Sequence, residues 1–190
     1  MKSNDKRWWC RVMPALMATL VLASAALVSG GAGARPAAPA AAPPSPAAAV
    51  PPARGPAYHL ALEAAQLALA DCAGKGYKVS VTVVDSTGAA RVVLADDGAR
   101  QRAVDSSAAK ALTVITFRES SGAVEQHAAA DPALAARIAA DSRLRARAGG
   151  LPLVVNGEII GAIGVGGAPG GEKDEACAAT ALAAVGPRLQ

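Results

Sequence analysis

Asn156-Gly157, set between Leu153-Val154-Val155 and the run from Glu158 to Val165, restricts this chain more than any other short segment. A two-residue hairpin of type I′ needs positive φ at both central positions, and Asn-Gly adopts that geometry at little cost. Two antiparallel strands must therefore meet here. A second pair is written earlier. Val79, Val81 and Val83 alternate with Ser80, Thr82 and Val84, the pattern of a half-buried strand. Asp85-Ser86-Thr87-Gly88 then turns it toward a partner over residues 91–94.

Helical periodicity fills the intervals. Leu62, Ala65, Leu69 and Cys72 share a face over residues 60–73, with Gly74 and Gly76 as stop signals. Val104, Ala108, Ala111, Leu112 and Ile115 predict an apolar stripe over residues 102–116. Shorter helical stretches follow at 119–129 and 132–140, and a last helix spans 172–185 after a glycine-rich run. The order α-ββ-αα-ββ-α, with tight turns inside both strand pairs, specifies an α/β (α+β) fold with helices packed on an antiparallel sheet. Roughly 130 residues suffice for one such core.

The preceding residues cannot join that core. Lys2, Lys6, Arg7 and Arg11 lead into an uncharged apolar run that ends at Ala32-Gly33-Ala34, the parts of a secretory signal peptide. Residues 1–34 are read as that signal, cleaved after Ala34, with an uncleaved membrane anchor as the rival. Residues 35–57 carry eight prolines among alanines, which makes them an extended linker, and residues 58–190 form the domain. The net charge of +4 belongs to the leader, since from Tyr58 onward 13 basic side chains face 14 acidic ones. No basic stripe for nucleic acid follows from that balance, and Tyr58, Tyr77 and Phe117 are too few for base stacking.

Several motifs occur in a fixed order: Val83-Val84-Asp85-x-x-Gly88, Asp97-Gly98-Ala99, Ala109-Lys110-Ala111-x-Thr113, Gly149-Gly150-x-Pro152 and Gly161-Ala162-Ile163-Gly164-Val165. Gly167-Ala168-Pro169-Gly170-Gly171-x-x-Asp174-Glu175 completes the set. Together they resemble the GlcG/HbpS-type heme-binding family over about residues 60–185. The resemblance implies a profilin-like fold, self-association into a homo-oligomer, and binding of heme or a related tetrapyrrole. Some relatives are domains fused to corrinoid adenosyltransferases, and exported ones are linked to redox sensing with a sensor kinase. Two positions depart from the family pattern: Gly166 stands where Ser is usual, and residues 141–148 are Arg-rich where relatives are more apolar.

Ser106, Lys110, Thr113 and Phe117 recur on one helical face, opposite the expected apolar stripe, and could line a pocket for an anionic ligand. A solvated helix face is the plainer reading; the match of Lys110 and Thr113 to the family motif favours the pocket. Arg145, with Arg137, Arg143 and Arg147, could fork onto carboxylates such as heme propionates, or form a solvated loop. His59 and His127 are the only histidines, too few for a zinc centre but enough for an axial heme ligand. His127 ranks above His59 because its helical setting is ordered. Cys72 and Cys177 either bridge or remain small buried thiols. The glycines of residues 161–166 serve either close helix approach or a ligand.

The leading reading is an exported heme-binding accessory or redox-sensing protein without catalytic activity of its own, with a sensor kinase or a membrane protein as partner. A cofactor-handling enzyme using Lys110 and the 167–171 loop, or a structural oligomer, are the alternatives. Intact-mass analysis of extracytoplasmic protein is expected to place the N-terminus at Arg35; a full-length mass in the membrane fraction would establish the anchor.

Overall fold

The computed structural model describes residues 52–190; residues 1–34, expected to be a signal, and most of the stretch expected to be a linker lie outside them. Helix α1 (Tyr58–Gly74) leads into strands β1 (Ser80–Asp85) and β2 (Ala90–Ala95). Helices α2 (Gln101–Phe117), α3 (Ser121–Ala130) and α4 (Pro132–Ala139) follow. Strands β3 (Gly150–Val155) and β4 (Glu158–Gly166) and helix α5 (Gly171–Val185) complete the domain, with a short 3-10 turn at Gly186–Arg188. The strands form one antiparallel sheet in the order β2-β1-β4-β3. This is the α+β fold expected from the sequence. Asn156 and Gly157 take φ of 50° and 78°, as a type I′ turn requires.

The strand expected to be half-buried over residues 79–84 forms at Ser80–Asp85 and is buried throughout. Helices cover both faces of the sheet, so the alternation sorts side chains between two interiors rather than between core and water. Val81, Val83, Ile163 and Val165 join Ala61, Ala65, Cys72 and Cys177 beneath α1 and α5. At about 1.5–3 kcal/mol for each fully buried branched side chain, this is the principal apolar core. The opposite face meets α2 through smaller groups. Val84 and Ala162 touch Ala111 and Val114, and the Thr82 and Ser107 hydroxyls lie 2.8 Å apart.

Small residues on β4 let α2 come this close. A Cβ at Gly166 would sit 2.8 Å from Ser106 Cβ and 2.9 Å from the Ala103 carbonyl oxygen, and one at Gly164 would strike the Ser107 carbonyl. Helix approach therefore accounts for these glycines. Gly166 in place of the family's Ser belongs to the same contact. Ile160, near the start of the same strand, packs in the α1–α5 core.

The family's Val-Val-Asp-x-x-Gly motif is a turn lock. Asp85 accepts hydrogen bonds from the Thr87 amide at 2.9 Å, the Thr87 hydroxyl at 2.6 Å and the Ala89 amide at 3.1 Å. Burial alone would raise the Asp85 pKa, but the hydrogen bonds from Thr87 and Ala89 outweigh it and hold the carboxyl below its ordinary value. The last linker residues are held at this end of the sheet. The Arg54 carbonyl accepts from the Ser86 amide at 2.8 Å, Arg54 pairs with Glu158, and Pro56 is buried.

Cys72 and Cys177 form a disulfide between α1 and α5, with Cα atoms 5.7 Å apart and a sequence separation of 105. A cross-link over so long a loop restricts the unfolded chain strongly. Reduction, or Cys72→Ser with Cys177→Ser, is expected to lower unfolding stability by about 2–4 kcal/mol. Thermal melts with and without reductant measure it, and coincident melts would show that the bridge does not support the fold.

Candidate functional site

Lys110 and Asp174 interrupt two apolar stripes. Lys110 lies on the buried side of α2 with Ala103, Ser107 and Val114. Asp174 lies on the buried side of α5 with Cys177, Ala178 and Ala181. Both side chains are almost fully buried, at 2% and 4% exposure, and their Nζ and Oδ2 atoms are 2.5 Å apart. The same ammonium donates to the Val165 carbonyl at 2.9 Å, and Asp174 Oδ1 accepts from the Ala168 amide at 2.9 Å. Burial pushes the Lys110 ammonium below its ordinary pKa, and the Asp174 charge opposes that shift. Burial likewise pushes the Asp174 carboxyl up, with Lys110 opposing.

This pair corrects the expected role of Lys110. The face carrying Lys110 and Thr113 is buried, not solvated, and the ammonium is tied to a carboxylate. Ala108, expected in the apolar stripe, is exposed instead. Thr113 is fully buried; its hydroxyl donates to Ala109 O at 2.8 Å and accepts from the Arg145 amide at 2.8 Å. It therefore positions the Arg-rich loop rather than facing a ligand.

That loop is stitched down along its length. The Ser121 hydroxyl donates to the Arg147 carbonyl at 2.6 Å, Glu125 accepts from the Ala148 amide at 3.0 Å, and Glu175 accepts from the Gly149 amide at 3.2 Å. Gly149 has φ of 123°, and a Cβ there would lie 2.6 Å from Lys110 Nζ. Only glycine fits that close approach.

Above the ion pair is a polar cavity of about 300 Å³, lined by Arg102, Ser106, Arg145, Arg147 and the 167–171 segment, with Lys110 and Asp174 at its base. Arg102, Arg145 and Arg147 belong to no ion pair among the described residues. Three guanidinium groups over a paired base favour carboxylate or phosphate ligands. Of the expected residues, Lys110, Arg145 and the glycine loop come together here. Phe117 does not; the Arg137 guanidinium lies 4.9 Å from its ring centroid. His59 and His127 are exposed and line none of this cavity, and His127 Nδ1 is 3.3 Å from Glu119. Among the described residues no group of three or more His, Cys, Asp and Glu side chains is placed to hold a metal ion. The sequence reading omits Asp174 and Arg102 from the site. The signal for Asp174 was available: a carboxylate on the buried stripe of an Ala-rich helix needs a buried cation.

Fold and site together define an α+β domain with a cationic cavity where the last strand enters the last helix. Residues 57–183 match the family described as haem degrading protein HbpS-like, and the chain belongs to that family. A double mutant of HbpS from Streptomyces reticuli is 31% identical, with a TM-score of 0.66 over 78% of this chain and 99% of its own. The ORFY protein of Klebsiella pneumoniae is 23% identical, with a TM-score of 0.65 over 73% of this chain and 96% of its own. PduOC, solved as a heme complex, is 22% identical, with a TM-score of 0.62 over 67% of this chain and 93% of its own. No curated protein matches the chain.

Heme is the cofactor the family implies, and the cavity fits one part of it. The arginines suit its carboxylates, while the lining side chains include no imidazole, thiol or thioether for iron. At about 300 Å³ the space is at the lower end for a ligand pocket, enough for the carboxylate edge of a macrocycle.

Breaking the ion pair is expected to cost more than removing it. Asp174→Leu or Lys110→Met alone should lower stability by about 3–5 kcal/mol, and the two together by less than the sum. Urea unfolding of the four proteins measures the coupling, and additive losses would remove the pair from its structural role.

Proposed function

We propose that this protein is an exported heme-binding protein, accessory or redox-sensing in role and without catalysis of its own. It would hold the tetrapyrrole by its carboxylates at the cationic cavity. The observation that carries this reading is the convergence of Arg102, Arg145 and Arg147 on the glycine loop, free of carboxylate partners. Arg145 and Arg147 receive a carboxylate of the ligand, Arg102 stands at the rim, and the Lys110–Asp174 pair fixes the floor. When bound, heme supplies a redox-active iron. Membership of the HbpS-like family and the heme complex of PduOC support the choice of ligand. The leader pattern supports export, as does a disulfide that persists in oxidising compartments. A homo-oligomer and a sensor-kinase or membrane partner belong to the same proposal, by analogy with exported relatives.

Titrating hemin into the purified protein is expected to give a saturable Soret shift at micromolar concentration. Light scattering of the same sample should give at least a dimer. Arg145→Ala with Arg147→Ala should weaken hemin binding at least about tenfold, because each charge-assisted hydrogen bond is worth about 1.5–3 kcal/mol. His59→Ala and His127→Ala test axial ligation directly. The absence of any saturable shift would reject the heme reading and favour a small-anion ligand for the cavity.

A further inference from the structure

A second cavity, of about 410 Å³, adjoins the first, and the two share Arg102, Ala103, Gly167, Ala168 and Pro169. Tyr77, Lys78 and Arg100 line its remaining side. Lys78 pairs with Asp96 at 2.9 Å, whereas Arg100 and Arg102 have no carboxylate partner among the described residues. The two cavities thus form one cationic groove passing the 167–169 segment. Arg100 stands at one end, Arg145 and Arg147 at the other, and Arg102 lies in the shared middle.

Four exposed guanidinium groups without carboxylate partners along one groove set up a positive field that favours an anionic ligand. Their mutual field is felt locally: Arg145 and Arg147 both help to lower the Lys110 pKa, after the larger effect of burial. Such a groove suits a ligand with two separated anionic groups better than one with a single charge. The lone-pair donors are arranged differently. Tyr77 offers the only phenol in the groove, and the Lys173 ammonium sits 5.7 Å from its ring centroid. No imidazole, thiol or thioether lines either cavity.

We infer that the groove recognises a tetrapyrrole by its two carboxylates, one in each lobe, and takes metal-free and metal-bound forms alike. The inference rests on the tetrapyrrole reading above and narrows it: the ligand class is a dicarboxylic porphyrin, and the metal is cargo rather than a recognition element. The lobes discriminate by carboxylate number, so a diester of the same macrocycle is excluded.

The test compares hemin, metal-free protoporphyrin IX and protoporphyrin IX dimethyl ester on the purified protein, followed by Soret absorbance and porphyrin fluorescence. Hemin and protoporphyrin IX are expected to bind with Kd values within about threefold and to displace each other one for one. The dimethyl ester should bind at least about tenfold more weakly, since it loses both charge-assisted contacts. Arg102→Ala, at an exposed site with no structural partner, should weaken both free acids about equally while the thermal midpoint is unchanged. Tyr77→Phe should leave both affinities as they were. If hemin binds tightly and protoporphyrin IX at least about tenfold less, or if Tyr77→Phe costs only the hemin affinity, metal recognition is established. The inference then falls while the heme-binding proposal stands. An ester that binds as well as the acids also overturns it. If none of the three binds, the tetrapyrrole reading itself falls.

Discussion

The buried contact between Lys110 and Asp174 governs the cavity end of the domain. Neither charge could be taken from water alone, since an unpaired ion inside a protein costs several kcal/mol. Once paired, they fix four pieces of backbone: α2, the first turn of α5, the end of β4 through Val165, and the glycine loop through Ala168. Gly149 lacks a side chain because the ammonium occupies that space. The rim arginines therefore project from a floor that cannot shift without separating two ions in a dry interior.

A second constraint is the unequal dressing of the sheet. Valine and isoleucine beneath α1 and α5 supply the apolar core, while serine, threonine, alanine and glycine beneath α2 let that helix lie almost on the backbone. This closeness brings Lys110 within reach of Asp174, which a bulkier strand face would hold further off. The glycine-rich β4 is thus a spacing device for the ion pair as much as a partner for β1.

Elements were legible in the sequence where local chemistry decides them. The Asn156-Gly157 turn, the alternation of residues 79–84 and the glycine stops announced the strand pairs and helices without knowledge of the tertiary structure. Burial was less legible. Helical spacing put Lys110 and Thr113 on a polar face, because a charged residue reads as solvated until its partner is known, and that partner is 64 residues away. The same limit applied to Thr113, whose hydroxyl serves the amide of Arg145. Arg145, read from the sequence as a carboxylate-binding candidate, lines the cationic cavity, since an exposed arginine keeps its character wherever the chain carries it. The histidines were weighed on chemistry alone, and their exposure could be read only from the fold.

The pinning of Arg54 and Pro56 at the turn between β1 and β2 gives the domain a polarity. The polypeptide enters the domain beside Asp85 and Gly161, whereas the arginine groove opens near Ser80 and Gly166, at the other end of the same antiparallel pair. Those ends are about 17 Å apart at 3.4 Å per residue. The point of chain entry and the arginine groove thus occupy opposite ends of the sheet and do not compete for the same surface, so whatever precedes Arg54 leaves the groove's own residues uncovered at that point of entry.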